Sequence, residues 1–117
     1  MVAMGGAVGA SLRFFTTSLF KYVYPSLPLG TFIANILGSF LIGYLMGYLE
    51  NKFLSENFIR YFLIIGVLGS YTTFSTFSYE IVDLFNNKKF MISFFYVLFS
   101  VSSCFLAAFF GYNINKI

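Results

Sequence analysis

Residues 69–78 read GSYTTFSTFS, a block in which seven of ten side chains carry a hydroxyl and two more are phenylalanines. The residues just before it, YFLIIGVL (61–68), are apolar, and IVDLF (81–85) follows shortly after. The whole run from about residue 60 to about 85 is long enough to cross a bilayer as one helix, which takes roughly 20 mostly apolar residues. Hydroxyls at the centre of such a span gain nothing from lipid. They are expected to face protein, water or an ion.

Composition supports the membrane reading of this block. The chain has 117 residues, 59% hydrophobic and only 9% charged. Soluble domains average about 45–50% apolar and about 25% charged, and a fold this small has too little interior to hide such an excess. The lipid bilayer is the expected solvent. The first apolar run starts at Val2 with no basic segment before it and no small-residue cleavage site, so no removable signal peptide is expected. Cys104 is the single cysteine, and no histidine is present. An intrachain disulfide, a hydrolytic triad and zinc chemistry are therefore excluded, and the chain does not read as an enzyme. The net charge of +3 comes from basic residues scattered among short loops. They read as membrane-flanking charges, with no nucleic acid implied.

Four segments qualify as spans, at about 2–20, 29–49, 60–85 and 90–113. The predicted fold is an all-α membrane protein in which residues 1–117 form one four-helix domain, with sequence neighbours antiparallel because the loops are short. Basic residues near the span ends do not select an orientation. Lys52, Arg60 and Lys116 fall on one side and Lys21, Lys88 and Lys89 on the other, three against three. Such balance suggests dual topology, with copies inserted both ways up and paired as an antiparallel homodimer. The other reading is a fixed orientation imposed by a partner or by the termini. Two GxxxG pairs, Gly5/Gly9 and Gly43/Gly47, predict close helix packing within the bundle.

Polar residues inside the spans fall into stripes. Thr31, Asn35, Gly38 and Ser39 share one face of the second helix, and Ser93, Tyr96, Ser100 and Ser103 one face of the fourth, with Cys104 at its edge. A single serine or threonine can bond back to its own helix. Two aligned stripes with an asparagine at depth suggest a polar track between helices, one whose amide donors suit an anion. In the third span, Gly66 and Gly69 precede the hydroxyl block, so a helix break is expected at 69–73, with restart at 74–78. A break exposes carbonyls, which can hold a cation such as Na⁺, and N–H groups, which favour an anion. Phe74, Phe77 and Glu80 continue on one face. Phenylalanine usually packs, but its ring edge is the positive part of the quadrupole, and two edges beside Ser75 and Thr76 could pass a small anion with a weak grip.

GAVGASLRF (6–14), GTFIANILGSFLIG (30–43) and GSYTTFSTFSYE (69–80) resemble the signatures of the Fluc/CrcB fluoride channel family. The resemblance implies a passive, highly selective channel that exports F⁻ across the cell membrane through two pores of an antiparallel dual-topology homodimer. It implies a structural Na⁺ at the dimer centre, held by the backbone carbonyls of Gly69 and Ser70. It assigns the fluoride pore to Thr31, Asn35, Phe74, Ser75, Thr76, Phe77, Glu80, Tyr96 and Ser100, and places Arg13 at an aqueous vestibule. Cys104 stands where the family pattern has a serine. The residues by themselves indicate only a polar track for a small ion. The alternative that also fits the size and the charge balance is a dual-topology, proton-coupled multidrug transporter, which needs a carboxylate deep in the membrane. Glu80 and Asp83, toward the end of the third span, are the nearest candidates. A third reading is a regulatory subunit without transport of its own.

Overall fold

The structure, a computed structural model, describes residues 1–50 and 56–116. Lys52, counted above among the flanking charges, lies outside the described residues. Helix α1 runs Val2–Val23 and α2 Leu29–Glu50. Helix α3 covers 58–71: Phe58–Leu68 is wound as a wide π-helix, and Gly69–Tyr71 adds one α-helical turn. Helix α4 is Ser75–Asn86 and α5 is Phe90–Asn113, the latter extended by a short 3₁₀ turn at Ile114–Lys116.

Three stretches are long and apolar enough to cross a membrane: Leu29–Glu50, Phe58–Asn86 and Phe90–Lys116. With 22 residues, α1 equals α2 in length, about 33 Å at the α-helical rise and enough for a hydrocarbon core of about 30 Å. It is more polar than the other three, because Arg13, Thr16, Thr17, Ser18 and Lys21 crowd its second half.

Contacts fix the directions of the helices. Along α1, Gly5, Gly9, Arg13 and Thr16 meet Gly66, Val67, Ser70 and Tyr71 in rising order, so α1 and α3 run parallel. Along α2, Thr31, Asn35 and Gly38 meet Glu80, Thr73 and Thr72 in falling order, so the third span is antiparallel to α2. Gly43 and Gly47 lie against Ala108 and Tyr112 of α5, which is parallel to α2 along the most extensive seam of the molecule. The chain thus passes up, down, up and down.

Both GxxxG pairs are spent on these seams. A Cβ on Gly5 would lie 2.5 Å from the carbonyl oxygen of Phe62 and 2.9 Å from the Cα of Gly66. Small residues allow this approach, which matters in lipid because burying apolar area there gives no drive to associate. The buried apolar core is correspondingly slight, comprising Ala34, Leu49, Leu68, Phe77, Leu84 and Tyr96. The large apolar side chains face outward instead. On α5, Phe105, Leu106, Phe109 and Phe110 are each more than half exposed, as a lipid-facing surface requires.

The break in the third span falls at 72–74, three residues beyond the start predicted for it. Gly69 is ordinary right-handed helix (φ −62°, ψ −32°), and the chain leaves the helix at Thr72 (φ −81°, ψ 153°). Gly66 serves close approach to α1 and Gly69 continues the winding, so the threonines make the break. Thr72 Oγ1 bonds back to the Leu68 carbonyl at 2.9 Å, and the Thr73 N–H is drawn out of the helix by Asn35 Oδ1 at 2.8 Å. Thr73 Oγ1 then accepts the N–H of Thr76 at 3.3 Å and caps the restart. The far end of α4 closes in a Schellman turn, with Lys89 N–H to Leu84 and Lys88 N–H to Phe85, and Lys88 in the left-handed region at φ 61°.

Candidate functional site

Two cavities flank the restart of the third span. The first, about 410 Å³, lies between the end of α1, the 24–28 connection, the start of α2 and α4. Its polar wall includes Thr17, Ser18, Lys21, Thr31, Thr76, Glu80 and Asp83. The second, about 260 Å³, lies between α2, the break and α5, and is lined by Asn35, Ser39, Thr72, Thr73, Phe74, Phe77, Ser100, Val101 and Cys104. No side chain of the second cavity carries a formal charge.

A thin septum divides them. The Tyr96 hydroxyl donates to Glu80 Oε1 at 2.7 Å, and the Thr31 hydroxyl donates to Glu80 Oε2 at 2.9 Å. Both oxygens of the carboxyl group are thereby engaged by donors from two other helices. The Tyr96 ring stands 5.0 Å from that of Phe77 at 57°, and Phe77 stands 5.6 Å from Phe74 at 49°. These tilted arrangements let one ring turn an edge where its neighbour turns a face. Thr31, Phe77 and Tyr96 are buried, whereas Phe74 is 76% exposed. Hydroxyl, carboxyl and ring thus form one connected layer between the cavities.

The predicted pore residues distribute over this layout. Thr31, Thr76 and Glu80 line the first cavity, Asn35, Phe74, Phe77 and Ser100 the second, and Tyr96 joins them. Ser100 Oγ is buried without a hydrogen-bond partner, which a hydroxyl tolerates only at a cost of about 1–3 kcal/mol. Ser100 is also one of the residues that line the second cavity, so an unpaired hydroxyl stands beside its wall. Ser75 is exposed beside the break, its hydroxyl 3.3 Å from that of Thr73. Asn35 does more than lend a donor to a path. Its Oδ1 accepts from the Thr73 N–H and its Nδ2 donates to the Thr73 carbonyl at 3.0 Å, leaving one amide hydrogen for the cavity.

Arg13, expected at a vestibule, is half-buried against the break. Its Nε donates to the Ser70 carbonyl at 3.0 Å, and it does not line the first cavity. The last turn before a break is a helix C-terminus with unpaired carbonyls and the negative end of a dipole, which draws a guanidinium. The cation on the cavity wall is Lys21.

The break decides how well a Na⁺ would fit. The last helical bond of α3 runs from Thr72 N–H to the Leu68 carbonyl, and the first of the restart from Ser78 N–H to the Phe74 carbonyl. The carbonyls of 69–73 lie between these ladders. Ser70 is taken by Arg13 and Thr73 by Asn35. Gly69 therefore suits a cation, and Ser70 does not: a Na⁺ there would share its oxygen with a guanidinium. The expected pair does not fit together. Among the described residues, no cluster of three or more cysteine, aspartate or glutamate side chains is placed to hold a metal either.

The cavity walls also include Asp83 and Ser39, which the sequence brought forward but did not assign to the pore. Asp83 continues the row Thr76, Glu80 at helical spacing and was legible on that ground. Ser39 lies on the polar stripe of α2. Tyr71, whose hydroxyl is 2.9 Å from that of Thr16, and the role of Thr73 had no signal in spacing, because each depends on which helix the break faces.

An all-helical chain with membrane-length apolar helices, one of them broken near its middle beside two cavities that carry polar side chains, defines a multi-pass membrane protein. Its sequence matches the family model described as CrcB-like protein, Camphor Resistance (CrcB), over residues 1–112, and the chain belongs to that family. A protein of Flavobacterium psychrophilum named fluoride-specific ion channel FluC is 40% identical over 116 residues, 98% of this chain and 94% of that one. One of the same name from Campylobacter jejuni is 40% identical over 117 residues, 99% and 95% of the two chains. Another, from Hydrogenobaculum, is 42% identical over 97 residues, covering 83% and 80%.

Proposed function

We propose that this protein is a passive, selective fluoride channel that exports F⁻ down its gradient across the cell membrane. The observation that carries the reading is the second cavity: Phe74, Phe77, Asn35 and Ser100 line one space without a formal charge. Relatives of nearly equal length named as fluoride-specific channels supply the ion. Fluoride is small and strongly hydrated, so removing its water requires many donors. Hydroxyls, an amide and ring edges provide them without a fixed positive charge that would trap the ion.

In this reading an ion enters the first cavity, meets Thr31 and Thr76, and crosses the septum by taking over the Tyr96 or Thr31 hydroxyl from Glu80. Beyond it lie the edges of Phe77 and Phe74, then Ser100 and the free amide hydrogen of Asn35. All four long helical units span the membrane, α1 included. Two copies lie antiparallel, giving two pores. The balanced flanking charges support this, and so does Phe74, which borders the second cavity yet stays exposed until a second copy covers it. A Na⁺ at the dimer centre would be held by the Gly69 carbonyls, with no part in the steps above. The multidrug-transporter reading has no comparable support, since both oxygens of Glu80 are already engaged by neutral hydroxyls.

The test is fluoride efflux from liposomes holding the purified protein, with chloride as control. Electrogenic F⁻ efflux with chloride retained is expected. Efflux that requires a proton gradient, or equal passage of chloride, overturns the reading.

A further inference from the structure

We propose, resting on the channel reading, that Lys21 is the residue that draws the anion into the first cavity. Lys21 sits in the last turn of α1, is exposed, and lines that cavity together with Thr31 and Thr76, the first donors of the path. Among the described residues it makes no ion pair. Arg13, the other cation of α1, is committed to the Ser70 carbonyl at the break.

The same wall carries two acidic side chains, Glu80 and Asp83. Glu80 turns both oxygens to Thr31 and Tyr96, and Asp83 has only a 3.4 Å contact with the Asn87 amide. An approaching anion therefore meets one ammonium set against the field of acids. Removing Lys21 leaves only the acids. A lysine ammonium on a flexible stem acts here as a field and not as a ligand, so it sets the rate of arrival and leaves selectivity to the septum and the second cavity.

The field reaches about 30 Å at 0.01 M salt but only about 3 Å at 1 M. That separates steering from structure. Liposome F⁻ efflux is measured for the wild type, Lys21→Gln, Lys21→Arg and Asp83→Asn at low and at high ionic strength, with chloride alongside. At low ionic strength Lys21→Gln is expected to slow efflux about threefold and Asp83→Asn to speed it. Lys21→Arg should match the wild type. The differences should collapse at high ionic strength, and chloride should stay excluded throughout. Wild-type rates in Lys21→Gln at low ionic strength overturn the inference, as does an equal loss at both ionic strengths, as does a change in chloride exclusion. In each of those cases the wild type still conducts and the channel reading stands. A wild type silent at both ionic strengths overturns the channel reading and this inference with it. If Lys21→Gln does not assemble, Asp83→Asn carries the test alone: no salt-dependent gain overturns the proposal.

Discussion

The carboxamide of Asn35 closes on both backbone groups of Thr73, its Oδ1 2.8 Å from the Thr73 nitrogen and its Nδ2 3.0 Å from the Thr73 oxygen. A helix broken in a membrane leaves N–H and C=O groups that no water can satisfy. Asparagine carries a donor and an acceptor on one planar group, so a single side chain from α2 replaces both lost partners. Aspartate lacks the donor and leucine lacks both.

Asn35→Ala should therefore destabilise the protein by about 2–4 kcal/mol, the cost of two backbone groups left unpaired away from water. Asn35→Asp should cost at least as much, because it presents an oxygen to the Thr73 carbonyl. Thermal unfolding in detergent measures both. Midpoints within error of the wild type would show that the bridge does not hold the break.

Gly66 and Gly69 are three positions apart in the same helix and predict opposite responses to alanine. A Cβ on Gly66 would lie 2.8 Å from the Cα of Gly5 and 3.0 Å from the Val2 carbonyl oxygen, where only backbone could yield. A Cβ on Gly69 meets only the Ile64 carbonyl oxygen at 3.4 Å, an ordinary contact. Gly66→Ala should cost about 1–3 kcal/mol by overpacking. Gly69→Ala should be neutral or stabilising by about 0.4–1 kcal/mol. Equal destabilisation by the two would mean that Gly69 is approached as closely as Gly66, as a contact between two copies would require.

That pair marks what was legible in the sequence. A break in the third span followed from hydroxyls within an apolar run, and the stripe Ser93, Tyr96, Ser100, Ser103 on α5 followed from helical spacing, with its first three members buried and Ser103 half-buried. Spacing is a property of one helix, so it survives without tertiary knowledge. The register of the break did not follow. Two glycines suggested 69–73, but Gly66 is consumed by contact with Gly5 and the chain yields at Thr72 and Thr73, where Asn35 offers partners. The bond from Arg13 to the Ser70 carbonyl did not follow either, since it depends on α3 presenting free carbonyls beside α1. Contacts between helices decided each of these, and no periodicity within one helix reports them.

The two phenylalanines should separate packing from transport. Phe77 is 5% exposed and packs on Tyr96, while Phe74 is 76% exposed. Phe77→Ile should lower stability by about 1–3 kcal/mol through the cavity it leaves, and Phe74→Ile should cost less, since within one copy it leaves no buried cavity. Under the channel reading both should cut fluoride efflux, since each removes a ring edge from the path. Normal efflux in a folded Phe74→Ile variant would remove that ring from the pathway.

The septum predicts coupling among three residues on three helices. Tyr96→Phe removes one hydroxyl from Glu80 and keeps the ring against Phe77, and Thr31→Val removes the other hydroxyl at nearly constant volume. Either substitution alone leaves one oxygen of Glu80 without its donor, at a cost of about 1–3 kcal/mol. The two hydroxyls serve the same carboxyl group, so their losses should not add. A double-mutant cycle on thermal stability should show an interaction of about 0.5–3 kcal/mol, the range for residues sharing one hydrogen-bonded group. The transport arm is sharper. A crossing ion that borrows these hydroxyls loses a donor in each mutant, so efflux should fall about tenfold, equivalent to about 1.4 kcal/mol on the barrier. Had the hydroxyls served only to latch Glu80 shut, their loss would loosen the septum and efflux would rise. Slower efflux in both single mutants, with chloride still excluded, supports hydroxyls that handle the ion. Faster efflux in either would assign that hydroxyl to the latch alone.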